Sequence, residues 1–279
     1  MSYSSPMPPP PPEQPAAGTG LPENADVELE IDGPSEQRRL TVLFRALLLI
    51  PQGIVLFFLS IANFVVMVLG WFGALAMGRL PEWARRFLTN YLRYATRVNA
   101  YAYLLVDRYP PFSFQSPEPG SDDYPARLDL HTGRLNRAAV LFRFILVLPA
   151  AILSNFLSTG FVLCGFFIWL AVLITGRTPA PVFGAVAATL RYTTRQAAYF
   201  AMLTSAYPKP RDMFGEQQID AKSQPLPRGT RPLVLTKGAV ALLIAFLVLG
   251  VLGTIGQGLA QPDPSQQQHA SAASVVLTR

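Results

Sequence analysis

The sequence predicts an all-α membrane protein: two tandem helical-hairpin modules, each with an amphipathic in-plane helix and short interfacial strands, followed by one C-terminal transmembrane helix. Three observations carry this expectation. Hydrophobic residues make up 51% of the chain and charged residues only 14%, well off the average for soluble proteins. The apolar residues gather in three blocks, Leu40 to Met77, Ala138 to Thr175 and Gly238 to Ala260, and the first two are too long for helices buried in a soluble core. Finally, the chain repeats: Leu43-Phe44-Arg45 falls on Leu141-Phe142-Arg143, 98 positions further on.

Residues 1–25 hold the run Pro8 to Pro12 among Ser, Gly and Gln, a composition that cannot bury a core. They are expected to form a disordered cytoplasmic tail that could serve as a Pro-rich ligand. The segment lacks the basic start and apolar stretch of a signal peptide, so no cleavage is expected.

The two modules cover residues 26–118 and 123–215. The same ungapped offset places Pro51 on Pro149, Trp71 on Trp169, Gly78-Arg79 on Gly176-Arg177 and Pro81 on Pro179. Toward the end of each unit, Leu92-Arg93-Tyr94 meets Leu190-Arg191-Tyr192, Arg97 meets Arg195, and Tyr109-Pro110 meets Tyr207-Pro208. Trp, Pro and Arg seldom align through composition alone, so the unit is a duplication. Each unit opens with a short alternating stretch, Val27 to Ile31 and Ala126 to Leu130, that reads as a strand at an interface.

The order Leu-Phe-Arg, Pro, Gly-Arg-x-Pro, Leu-Arg-Tyr and a second Arg, closing on Asp107-Arg108-Tyr109-Pro110-Pro111-Phe112, resembles the bacterial membrane family catalogued as domain of unknown function 4389. The likeness runs from Val27 to Phe114 and again from Tyr124 to about Phe214. In the second copy Ser205-Ala206-Tyr207-Pro208-Lys209 departs from the fuller ending of the first. The resemblance implies a membrane protein and no particular activity.

As one helix, Leu40 to Met77 would be about 57 Å long, almost twice the hydrocarbon thickness. The expectation is a hairpin turning near Ser60 to Asn63, and in the second copy near Ser158 to Gly160. The alternative is an interfacial helix ending at Pro51 and one tilted crossing after it. Charge favours the hairpin, because Arg38 and Arg39 precede the block while Arg79, Arg85, Arg86, Arg93 and Arg97 follow it, and a hairpin leaves both clusters in the cytoplasm. Arg134 and Arg137 before, and Arg177, Arg191 and Arg195 after, frame the second block in the same way. The uncharged tips also admit a shallow re-entrant loop. Residues 216–236 read as a linker, with Arg231 and Lys237 preceding the last helix at 237–260. The tail at 261–279 holds no Lys or Arg before Arg279, which places the C-terminus outside and the protein in the cell membrane as a multi-pass chain.

Six arginines are the candidate lipid-headgroup contacts: Arg45, Arg93, Arg97, Arg143, Arg191 and Arg195. Glu82 to Val106 carries the stripe Arg86, Asn90, Arg93 and Arg97 on one helical side, and the second copy keeps Arg191 and Arg195. Arg45 and Arg143 sit just inside the apolar blocks, where a charge at mid-bilayer would cost about 2.5 to 3.5 kcal/mol. They either snorkel back to headgroups or pair with a lipid phosphate or a carbonyl freed by Pro51 or Pro149.

No enzyme constellation emerges. His131 and His269 are far apart, no Asp or Glu lies inside an apolar block, and Ser60, Ser154 and Ser158 have no neighbouring base. No cofactor and no metal are expected, and the lone Cys164 has no disulfide partner. The net charge of +6 borders the apolar blocks and so points to anionic lipid rather than nucleic acid. Gly250, Thr254 and Gly258 recur four apart on the last helix, a small-residue face that could admit a partner helix. The expectation is a membrane scaffold or interaction protein that contacts anionic lipid, with a small-solute transporter or channel component as the competing class.

Overall fold

The computed structural model describes residues 27–34, 36–114, 124–130, 135–214 and 235–260. The expected Pro-rich tail, most of the linker, the final tail, Arg134, Arg231, His131 and His269 lie outside the described residues. The element order is β1 (Val27–Ile31), α1 (Arg39–Leu43), α2 (Arg45–Met77), α3 (Glu82–Ala102), β2 (Ala126–Leu130), α4 (Arg137–Leu141), α5 (Arg143–Thr175), α6 (Ala180–Phe200), a 3-10 turn at Pro210–Phe214, and α7 (Lys237–Ala260). Three helices, α2, α5 and α7, are long and apolar enough to cross a membrane.

The expected hairpins are corrected by the structure. α2 and α5 are each one continuous helix of 33 residues, about 50 Å long, with no turn near Ser60 to Asn63 or near Ser158 to Gly160. Nothing at those places breaks a helix. The Ser60 hydroxyl, read from sequence as a turn signal, instead donates to the Phe57 carbonyl within the helix at 2.7 Å. Hydrocarbon thickness also sets no ceiling on helix length, since a long helix tilts or extends into the headgroups.

The repeat residues mark where these helices begin and end. Phe44 and Phe142 leave helical geometry just before Arg45 and Arg143 and so separate a short lead-in helix from each long one. Gly78 and Gly176 then stop the long helices in the left-handed conformation, at φ 70° and 71°, which a residue with a Cβ adopts at a cost. Pro81 and Pro179 sit extended at the N-caps of α3 and α6. Both of the latter helices end on a left-handed residue as well, Leu104 and Met202. There Leu105 N–H reaches the Ala100 carbonyl and Leu203 N–H the Ala198 carbonyl, closing the last turn.

The two copies interlock. β1 and β2 pair antiparallel, with Leu29 opposite Leu128 and Glu30 opposite Arg127. The Trp71 indole, near the end of α2, donates to the Val140 carbonyl in α4 at 3.1 Å, and the Trp169 indole of α5 donates to Val42 in α1 at 2.8 Å. The Gln37 N–H likewise meets the Gly176 carbonyl at 2.8 Å. The end of each long helix is therefore fixed by the lead-in helix of the other copy. Leu88, Leu92, Leu105, Leu128, Leu190 and Leu203 share one buried core that crosses the repeat boundary.

α7 breaks this symmetry, because it packs chiefly on α5 and α6, both of the second copy. A methyl group added at Gly160 would fall on the Phe246 carbonyl, and one at Gly250 on the Phe156 carbonyl. The small-residue face read from Gly250 is thus filled by the chain's own α5, whereas a Cβ at Gly258 would meet nothing. α6 approaches α7 at Gly184, where a Cβ would press on Ala239; α3 has Arg86 at the equivalent position.

Candidate functional site

The side chains that set this chain apart from a plain apolar bundle are its repeated arginines. Among them, Arg45 and Arg143 are the first residues of α2 and α5, and both are buried. Each guanidinium lies 4.3 Å above a tyrosine ring, Tyr101 for Arg45 and Tyr199 for Arg143, an attraction between cation and ring quadrupole. Each also donates through Nη1 to the backbone carbonyl of that same tyrosine, at 2.7 and 2.8 Å. Neither accepts the sequence-based alternative of a carbonyl freed by proline. The carbonyls they bind lie in the last turns of α3 and α6, where they also accept from the Leu104 and Met202 N–H groups at 3.2 and 3.1 Å and where the C-terminal end of a helix favours a cation.

Around Arg45 the site is polar and closed. Nη2 donates to Gln37 Oε1 at 2.7 Å and lies 3.3 Å from Asp107 Oδ1. That carboxylate also accepts from the Thr41 hydroxyl at 2.7 Å. Gln37 in turn donates to the Leu104 carbonyl at 2.8 Å, which accepts from Thr178 of the other copy at 2.7 Å. About two turns along α2, fully buried Gln52 donates to the Pro110 carbonyl at 2.8 Å and accepts from the Tyr94 hydroxyl. Between them the Tyr109 hydroxyl donates to the Leu48 carbonyl at 3.3 Å, so the segment Asp107 to Pro110 is tied to α2 at Arg45, Leu48 and Gln52.

Arg93, Arg97, Arg191 and Arg195 also turn toward the chain itself. Arg93 of the first copy donates to the Leu128 carbonyl on β2 at 3.0 Å, and Arg191 of the second copy donates to Leu29 on β1 at 3.0 Å. Arg195 donates to Val27 at 3.3 Å, and Arg97 to Ser113 at 2.8 Å. Exposed arginines stand instead at the ends of the apolar helices and their lead-ins, Arg38, Arg39, Arg79, Arg137 and Arg177, and elsewhere on the surface, Arg86 in α3, Arg108 and Arg211. Sequence reasoning placed the stripe on one side of α3 but had no signal for the strand carbonyls that it meets.

At the other end of α2, Glu82 in the first turn of α3 accepts from Arg85 and Arg86 at 2.5 and 3.0 Å. Hydrogen bonds from Arg85, then from Arg86, hold its carboxyl at about 2 against an ordinary 4.5. Burial pushes the Tyr124 hydroxyl well above its usual range; that hydroxyl donates to the Arg108 carbonyl at 2.9 Å. Among the described residues no three His, Cys, Asp or Glu side chains come together to hold a metal ion.

A family model described as a domain of unknown function (DUF4389) matches residues 39–113 and again residues 137–212. The two matches start and stop within the two copies of the repeat and include all six repeated arginines. No curated protein and no solved structure matches the chain. Because the two matches together cover more than half of its residues, the chain belongs to the DUF4389 family, of which it carries two tandem copies.

Proposed function

We propose that this protein is a non-enzymatic scaffold or interaction protein of the cell membrane that contacts anionic lipid. The observation that carries the reading is an apolar outer face bordered by exposed arginines. Leu47, Ile54, Phe58, Phe64 and Phe72 on α2, and Ile145, Ile152, Val162, Phe167 and Ile174 on α5, are each more than half exposed. A face of that extent is the mark of a membrane or partner contact. Arg38, Arg39, Arg79, Arg137 and Arg177 stand at the ends of these helices, where each would gain roughly 1 kcal/mol from an anionic headgroup.

The headgroup contacts therefore belong to these rim arginines, and the six inward-turned arginines, Arg45, Arg93, Arg97, Arg143, Arg191 and Arg195, hold the architecture that presents them. α7 serves as an anchor with its Lys237 end in the cytoplasm and its far end outside. A partner helix would meet the face of α7 that α5 leaves open, where Val248, Leu252 and Ile255 are exposed.

Extraction in polymer nanodiscs, followed by mass spectrometry of the co-purifying lipids and proteins against an unrelated three-span control, tests the reading. Enriched anionic lipid or one stoichiometric protein supports it. A composition equal to that of the control contradicts it.

A further inference from the structure

Arg45 and Arg143 are equivalent in the repeat but not in charge balance. Arg45 has Asp107 at 3.3 Å and Gln37 at 2.7 Å. At the positions 98 residues on stand Ser205 and Leu135. Arg143 keeps two carbonyls, those of Tyr199 at 2.8 Å and Thr204 at 3.1 Å. It has no carboxylate partner among the described residues; its buried Nε, like that of Arg45, has no hydrogen-bond partner.

A guanidinium stays protonated, and a buried cation without a counter-charge is costly. The second copy thus keeps the cation but has no carboxylate at the position of Asp107. Among the described residues none supplies the balancing anion, which leaves the place open to one from outside the chain.

The space beside Arg143 limits what that anion can be. A cavity of about 210 Å³ is lined by Arg143 together with Phe64, Met67, Trp71, Phe144 and Phe200. Phe64 and Phe144 are themselves exposed, so the cavity borders the apolar outer face. Apolar walls favour a hydrocarbon segment over a hydrated ion. The volume falls below the roughly 300 to 1,000 Å³ of sites that enclose a whole drug-sized ligand, so it suits part of one chain.

We propose that Arg143 and this cavity form a binding site for one anionic amphiphile, with the phosphate or carboxylate head on the guanidinium and an acyl segment against Trp71. The proposal rests on the anionic-lipid reading above and assigns it one site. The copy-1 arrangement supplies the control, because Ser205→Asp would provide the internal carboxylate that Arg45 already has.

In a Trp83→Phe, Trp169→Phe background Trp71 is the one remaining indole of the chain and reports occupancy, since bromine on an acyl chain quenches indole fluorescence at contact. The full chain is placed in phosphatidylcholine nanodiscs holding a fixed small fraction of dibrominated phosphatidylglycerol, dibrominated phosphatidylcholine or dibromostearate. Expected is at least twofold more quenching by an anionic brominated ligand than by the zwitterionic one, with the excess lost in Ser205→Asp and kept in Ser205→Asn. Excess from phosphatidylglycerol names a phospholipid, and excess from dibromostearate alone names a fatty acid. Excess that survives Ser205→Asp overturns this site and leaves the general lipid reading standing. Equal quenching by all three overturns both.

Discussion

Trp71 donates its indole N–H to the carbonyl of Val140, 69 residues away in the other copy, at 3.1 Å. Its counterpart Trp169 returns the bond to Val42 at 2.8 Å. The duplication is therefore an intramolecular pair in which each copy fixes the long helix of the other. Trp71→Phe and Trp169→Phe should each destabilise the protein by about 1 kcal/mol, and by similar amounts. Denaturant titration in detergent measures this, and a loss confined to one variant would contradict the reciprocal reading.

Asp107 gives the first copy its charge balance. Asp107→Asn leaves the Arg45 guanidinium buried with no carboxylate, at a cost toward the lower end of the roughly 3 to 5 kcal/mol seen when one partner of a buried pair is removed, because the Asp107 side chain is 17% exposed. Ser205→Ala, at the equivalent position, should change stability by less than about 0.5 kcal/mol. The same titration compares the two, and equal effects would contradict the asymmetry.

Much of this was legible in the sequence, and the limits are instructive. The duplication, both strands and the last helix follow from spacing and residue type. The unbroken course of α2 did not, because length against bilayer thickness is a weak constraint once tilt is allowed. Arg93 and Arg191 read as headgroup ligands because sequence shows that a cation lies on a helix face, but not that a strand from the other copy brings a carbonyl to it. The difference between Arg45 and Arg143 was already present as Asp107 against Ser205. Only the folded contact shows that Asp107 is the carboxylate beside Arg45.

The glycines of the α5 and α7 crossing should tolerate no side chain. Gly160→Ala and Gly250→Ala each place a methyl group on a carbonyl of the facing helix, so both should separate α7 from α5, with a loss of roughly 1 to 3 kcal/mol as in other overpacked sites. Gly256→Ala and Gly258→Ala meet open space and should be near neutral. Cysteine cross-linking between α5 and α7 reads the separation. Full cross-linking in Gly160→Ala would contradict the close approach.

Acid should loosen the start of α3. Glu82 has a folded value of about 2 against an ordinary 4.5, so the folded state binds this proton less readily than the unfolded one. Its contribution is complete above about pH 4.5 and is lost as the pH falls through about 2. A carboxyl carbon titration by NMR in micelles should show a midpoint near 2, and Glu82→Gln should remove this acid dependence from the first turn of α3. A midpoint near 4.5 would contradict the pairing with Arg85 and Arg86.

The division of labour between rim and inward-turned arginines is the central claim, and lipid selectivity tests it most directly. Electron spin resonance of spin-labelled phosphatidylglycerol and phosphatidylcholine around the reconstituted protein gives their relative association. The wild type should prefer the anionic lipid severalfold, as roughly 1 kcal/mol per rim charge implies. The combined change of Arg38, Arg39, Arg79, Arg137 and Arg177 to Gln should bring the ratio close to one. Changing Arg93 and Arg191 to Gln should leave the ratio intact while lowering stability. A ratio that survives loss of the rim arginines but falls with Arg93 and Arg191 would contradict the account.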